Sequence, residues 1–139
     1  MANAMQLPNT DFNGEIMNSL GILTKDYRSF HPDTFFKYSP YGRGEVAKQA
    51  GVARSNLYKE TVSLSTLKQL KKGILQVVVG TDLSIELFQQ NIEEALRWFN
   101  APNSMLSGES PFEVCIRGDG DGILNWLKGR LGYDTARPF

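Results

Sequence analysis

Residues 91–114, NIEEALRWFNAPNSMLSGESPFEV, constrain the fold more than any other stretch of the chain. The first half spaces Ala95, Leu96 and Phe99 on one helical face, with Trp98 beside them. Pro102 ends that helix, because it has no N–H to donate and pushes Ala101 out of the α region. Ser110-Pro111 opens the next helix. The serine caps free amides, and the proline sits in the first turn, where its missing N–H costs nothing. A short, stiff corner over 100–108 therefore has to join two helices.

The same reading makes the rest of the chain helical. Between 63 and 90, Leu64, Leu67, Leu70, Ile74, Val77 and Val78 recur at steps of three or four, which marks a buried stripe opened by Ser63 or Ser65. The run 76–80, QVVVG, has strand propensity, but it lies between two helical patterns and is read as helix. Gly73 and Gly80 are expected to loosen that helix, and Asp82 or Ser84 to restart it ahead of Leu83, Leu87 and Phe88. The stripe is wider than one partner helix needs, so it serves either the core or a homodimer interface. A last helix is expected over 123–131, lined by Ile123, Leu124, Leu127 and Leu131 with Trp126 near them, begun by Asp119 or Asp121 and ended by Gly132. The preceding string GDGDG invites a calcium reading. It lacks the third ligand and the closing glutamate, and no G-K-[ST] follows for a phosphate loop, so it is read as a turn.

At the N-terminal side, residues 1–11 are expected to be poorly ordered. A short helix is expected to carry Ile16, Met17, Leu20 and Leu23. Tyr27, Phe30, Phe35, Phe36 and Tyr38 are read as the core of a small bundle rather than a ligand box, with a helix over 34–38. The expected class is all-α, in three stretches: an N-terminal segment with short helices (1–40), a helix-turn-helix region (41–80) and a small helical domain (81–139).

The 139 residues carry no net charge, but the charge is uneven. Residues 41–73 hold seven basic side chains against Glu45 and Glu60, a balance of +5. Residues 82–121 hold eight acidic side chains against Arg97 and Arg117, a balance of −6. Such a dipolar surface suits a polyanion at one part and a basic protein at the other. No run of about 18 apolar residues is present, so no membrane span is expected. The first residues show neither a basic n-region nor an apolar h-region, so a cytoplasmic location without export is expected. The single cysteine, Cys115, lies in the apolar run PFEVCI and is read as a buried thiol.

In the basic part, residues 44–59 read as a helix, a tight turn at Gly51 and a second helix, with Val52 and Leu57 plugging the angle between them. This resembles the helix-turn-helix of DNA-binding repressors, whose second helix enters the major groove. The resemblance implies contacts to operator DNA from Arg43, Arg54, Ser55, Asn56, Tyr58 and Lys59. Arginine can grip guanine, and asparagine adenine, with two hydrogen bonds each. The competing reading is a plain helical hairpin with a wet polar face.

Ala95, Trp98, Pro102-Asn103, Leu106, Gly108 and Ser110-Pro111, followed by Leu127, Arg130 and Gly132, resemble the toxin-binding domain of the Xre/MbcA/ParS family of bacterial antitoxins. The resemblance covers roughly the last 55 residues. Taken singly, each residue has a structural reading: Trp98 as core, Pro102 as a helix stop, Ser110 as a cap. The family's members neutralise a RES-domain toxin, an enzyme that consumes NAD, and repress their own operon. The resemblance thus implies toxin contacts from Trp98, Asn103, Ser110, Arg130, Tyr133 and Arg137. Residues 130–139 would be the segment that inserts toward the toxin's NAD pocket. The ending GYDTARPF departs from the family's endings. No catalytic set is read from the sequence: His31 is the only histidine and has no motif around it, and the carboxylates are scattered. Neither a metal site nor a cofactor is expected.

Overall fold

The structure is a computed structural model that describes residues 16–133. Its axis is a 19-residue helix, α3 (Gln69–Leu87), in which every residue from 73 to 85 is buried. A helix buried on all sides must be surrounded by other elements. Three later helices do this: α4 (Ile92–Asn100), α5 (Pro111–Ile116) and α6 (Asp121–Arg130) all pack on α3. Ahead of α3 come α1 (Pro32–Tyr38), α2 (Arg43–Ala50) and two 3-10 turns, Arg54–Tyr58 and Leu64–Thr66. Two short strands, β1 (Ser29–Phe30) and β2 (Val62–Ser63), pair antiparallel, with Ser29 opposite Ser63 and Phe30 opposite Val62. The class is all-α with this small sheet appended.

The run 76–80 is helical, because inside α3 its valines are enclosed by neighbouring helices rather than by strands. Gly73 and Gly80 do not loosen α3; they are the points of closest approach. A Cβ on Gly73 would lie 2.0 Å from the Ile116 carbonyl oxygen, and one on Gly80 would lie 2.7 Å from the Phe99 ring. α3 also needs no restart at Asp82 or Ser84. Ser84 donates its hydroxyl hydrogen bond to the Gly80 carbonyl at 2.7 Å, inside the continuous helix.

Asp82 turns its side chain to another part of the chain. Its carboxylate accepts backbone N–H bonds from Met17 (3.1 Å), Asn18 (2.9 Å) and Ser19 (2.8 Å). This corrects the helix expected around Ile16 to Leu23. Three successive amides converging on one carboxylate require a turn, and Asn18 adopts φ 55° within it. Leu23 instead bridges Phe30 beside the small sheet. The disorder expected over 1–11 lies outside the described residues.

The corner between α4 and α5 forms as its sequence dictates. Asn91 caps α4 by accepting from the Glu94 N–H, and Ala101 leaves the helix in extended conformation ahead of Pro102. Asn103 Oδ1 accepts from the Met105 N–H at 2.9 Å and holds a 3-10 turn, Ser104–Leu106. Ser110 and Glu113 form a capping box, each side chain accepting the other's backbone N–H at 3.0 Å.

One core runs through all three stretches of the chain. Phe35 meets Phe30 edge-on at 5.9 Å between ring centroids and Phe112 at 6.0 Å, and Phe112 meets Phe99 at 6.4 Å. The N-terminal aromatics are therefore core residues shared with α4 and α5. The wide stripe on α3, which left room for a second subunit, is covered within the single chain.

Candidate functional site

The absence of a Cβ at Gly80 lets Phe99 of α4 lie directly on α3, with Leu124 of α6 at the same point. Both helices are thereby drawn together over α3. Their outward aromatic residues then meet: Trp98 and Trp126 stack with ring centroids 5.8 Å apart and planes 17° from parallel. Phe88, just past the end of α3, closes one side of the pair at 6.4 Å from Trp98. The 3-10 turn of the corner forms the opposite wall.

The result is an open apolar groove of about 480 Å³. Its apolar lining is Trp98, Met105, Leu106, Val114, Ile123 and Trp126, and its polar edge is Asn103 and Asp119. The groove is not a gap in the core. Met105 is 82% exposed and Trp126 43%, which is unusual for residues of this size and polarity. A volume in this range and an apolar lining with few polar groups are features of binding clefts.

Two residues singled out in the sequence, Trp98 and Asn103, line this groove. The side-chain oxygen of Asn103 is already used within the corner, so it positions Met105. Arg130 lies at the groove's far end with its guanidinium 5.5 Å from the Trp126 ring centroid. Tyr133 is farther along and donates its hydroxyl to the Glu86 carboxylate at 2.8 Å, and this bond pushes its pKa up. Ser110 is only 3% exposed and its hydroxyl is committed to the cap, so it offers a partner nothing. Arg137 lies outside the described residues. The sequence reading missed Met105, Ile123 and Asp119 as site residues and placed Trp126 only near a core face. Met105 in a polar corner was the available signal, since an apolar side chain there has no core to enter.

The second candidate surface lies around the first 3-10 turn. The expected recognition helix is not an α-helix: Arg54–Tyr58 form a five-residue 3-10 helix that lacks a side-chain cap and ends in extended backbone at Lys59. Gly51 does end α2 in the left-handed conformation, at φ 69°, as the tight turn requires. Leu57 is buried, while Arg54, Ser55, Tyr58 and Lys59 are exposed and Asn56 is half-buried. Arg54 donates to the Tyr58 hydroxyl at 3.0 Å and lies over its ring. Arg43 is an internal clamp. It pairs with Asp33, donates from Nε to the Leu57 carbonyl at 2.8 Å, and lies over the Phe36 and Tyr58 rings at 5.0 and 4.9 Å.

Other groups with chemical potential are spent on structure. Burial pushes the Cys115 thiol up to about 12, so it is not a thiolate at neutral pH. In the GDGDG string, Asp119 pairs with Arg117 at 3.3 Å and Asp121 accepts from the buried Gln76 at 2.8 Å. Gln76 also accepts the Gly120 N–H at 2.7 Å, which fixes the start of α6 on α3. Among the described residues, no helix is long and apolar enough to cross a membrane. Comparison of the chain with protein-family models, curated proteins and solved structures gives no match.

Proposed function

We propose that this chain is the antitoxin of a toxin–antitoxin pair, and that its α4–α6 face binds and blocks a RES-domain, NAD-consuming toxin. The observation that carries this reading is the Trp98–Trp126 stack at the floor of an open groove. An exposed tryptophan stacked on a half-buried one, beside an exposed methionine, is an interface composition rather than a surface one. The residue pattern of 95–132 supplies the identity of the partner by resemblance. Blocking would be steric, with the chain beyond Arg130 covering the toxin's NAD pocket, so no group in this chain has to perform chemistry.

Co-expression tests the reading. The toxin alone is expected to arrest growth; with this chain, growth returns and the two proteins copurify. The reading fails if growth stays arrested and no complex forms.

Operator binding is the second half of the proposal, and pairing of two subunits on a two-fold site belongs with it. The exposed cationic turn at Arg54–Tyr58 with Lys59 supports it, within a stretch that carries +5. A single 3-10 turn presents its side chains to phosphates more readily than to base edges in the depth of a groove. The double variant Arg54→Ala/Lys59→Ala is therefore expected to weaken all duplexes alike in a mobility-shift assay. It should reduce the salt slope by about two. A DNA-binding regulator without a toxin is the competing reading. It is favoured if the chain shifts its upstream DNA and no RES-domain protein copurifies.

A further inference from the structure

The cations in the two parts of this molecule are used differently. In the α4–α6 part, Arg97 and Arg117 are paired with carboxylates. In the stretch 44–60, Lys48, Arg54 and Lys59 are exposed, and none of them has a carboxylate within ion-pair distance among the described residues. Arg54 and Lys59 flank one exposed ring, that of Tyr58.

Tyr58 ends a ladder of alternating aromatic rings and guanidinium groups. Phe36 of α1 is the inner rung, and the Arg43 guanidinium lies 5.0 Å from its centroid and 4.9 Å from that of Tyr58. Arg43 is fixed by Asp33 and by the Leu57 carbonyl, so it backs one face of the Tyr58 ring firmly. Arg54 donates to the Tyr58 hydroxyl at 3.0 Å, and its 5.7 Å distance from the centroid keeps it toward that edge. Gly44 of α2 leaves room for it, since a Cβ there would lie 3.4 Å from the Arg54 guanidinium. Lys48 is one helical turn along α2 from Gly44, on the same face. Tyr58 nevertheless remains 56% exposed. A ring backed by a cation on one face and open on the other is a platform for stacking.

The backbone and the charges decide what stacks there. Unpaired cations beside the ring favour a ligand that carries phosphates. The bases of a duplex cover one another's faces and offer only edges, in the depth of a groove that a five-residue 3-10 turn does not enter. A single strand leaves base faces open, with a phosphate on either side of each. Glu45 and Glu60 are exposed in the same stretch and limit what charge alone can attract, so the ring has to supply part of the affinity.

We propose that Tyr58 stacks an unpaired nucleobase of a single-stranded nucleic acid, with Arg54, Lys59 and Lys48 on the flanking phosphates. The inference goes beyond operator binding: it uses the same basic turn, but it demands free base faces and needs no duplex site.

Fluorescence anisotropy of the full chain with labelled probes of about ten nucleotides tests it. The probes are a DNA strand, an RNA strand, the DNA duplex and a strand of abasic sites with the same phosphates. The base-bearing strands are expected to bind about ten-fold tighter than the duplex or the abasic strand. The tighter of DNA and RNA names the natural strand, and either supports the proposal. Tyr58→Leu should weaken strand binding about ten-fold, while Tyr58→Phe should keep most of it. Neither opens the core, because Leu57 is the buried residue of this turn. Arg54→Ala/Lys59→Ala should reduce the salt slope on the strand by about 1.4, and Glu60→Gln should tighten binding about two-fold.

A duplex bound as tightly as the strands would overturn the proposal, as would an abasic strand bound as tightly as a base-bearing one. Strand binding that survives Tyr58→Leu would also overturn it. If the upstream duplex shifts and Tyr58→Leu changes nothing, the operator reading stands and this one falls. If strands bind through Tyr58 and no duplex shifts, the reverse holds.

Discussion

Gly51 and Gly73 show how differently the two halves of this molecule are held. Gly51 ends α2 at φ 69° with open space around its missing side chain. Its requirement is local, a backbone conformation that residues with a Cβ resist. Gly73 sits inside α3 in ordinary helical geometry, yet the Ile116 carbonyl oxygen occupies the place its Cβ would need. Its requirement is tertiary. The contrast extends to whole regions. Around residues 41–67 the chain is one short helix and a series of turns, seated on the core by single side chains such as Val46, Leu57 and Leu64 and tied by the Arg43 clamp. Around residues 73–130 four helices close on one another through glycine contacts and buried aromatics.

The sharpest way to break this contrast is to replace both glycines. In urea unfolding, Gly73→Ala is expected to lose about 3 kcal/mol, because the clash is with backbone and outweighs alanine's better helix propensity. Gly51→Ala should lose only about 1 kcal/mol, the cost of a left-handed alanine. Equal losses would mean that the α3–α5 contact is looser than its geometry.

Asp82→Ala comes next, at about 2–3 kcal/mol, since it leaves three amides of the 17–19 turn without their acceptor. Its effect on amide exchange should be confined to the N-terminal turn, with the groove keeping its tryptophan emission.

Arg43→Lys probes the stretch around α2. It keeps the charge but loses the planar fork over Phe36 and Tyr58, and about 1 kcal/mol is expected. DNA affinity should fall less than for Arg54→Ala, because Arg43 faces inward. A larger fall would make it a direct contact.

The smallest effect is in the capping box. Ser110→Ala should cost about 1 kcal/mol. The Ser110 backbone N–H, with the Tyr41 hydroxyl, holds the Glu113 carboxyl below its ordinary value of 4.5. A folded-state pKa below the unfolded one gives stability that is present above about 4.5 and lost as pH falls through the folded value. Glu113→Gln should therefore lower stability at neutral pH, where the ionised carboxylate contributes in full, and flatten the profile below pH ~4.5, where that contribution is lost anyway. Asp82 has the opposite sign. Burial raises its pKa, so the ionised carboxylate is strained by desolvation, and its contribution is fullest below the unfolded value and declines as pH rises through the folded one.

Pro102, Ser110-Pro111 and Asn91 act through their own backbone neighbours, and the sequence by itself therefore determined the corner, the ends of α4 and α5, and the all-α class. The stripe from Leu70 to Val78 likewise fixed a buried helix, but not its start: Ser63 and Ser65 do not open it, because Ser63 lies in β2, Leu64 in a separate 3-10 turn, and Lys68 at φ 50° breaks the helical path ahead of α3. Other features depended on residues far apart in the chain. Whether QVVVG became helix or strand was settled by the helices that enclose it. Whether Gly73 and Gly80 weakened α3 or let α4 and α5 close on it was settled by Phe99 and Ile116. The segment 16–23 became a turn because Asp82, more than sixty residues later, gathers its amides. The 54–58 turn stayed 3-10 where a longer helix was expected, and nothing in its residue types announced that. The groove belongs to the same class: Trp98 and Trp126 are 28 positions apart, and only the close approach permitted at Gly80 brings their rings face to face. Local chemistry sets where helices begin and end; the distance at which they pass one another is set by what each lacks at the crossing.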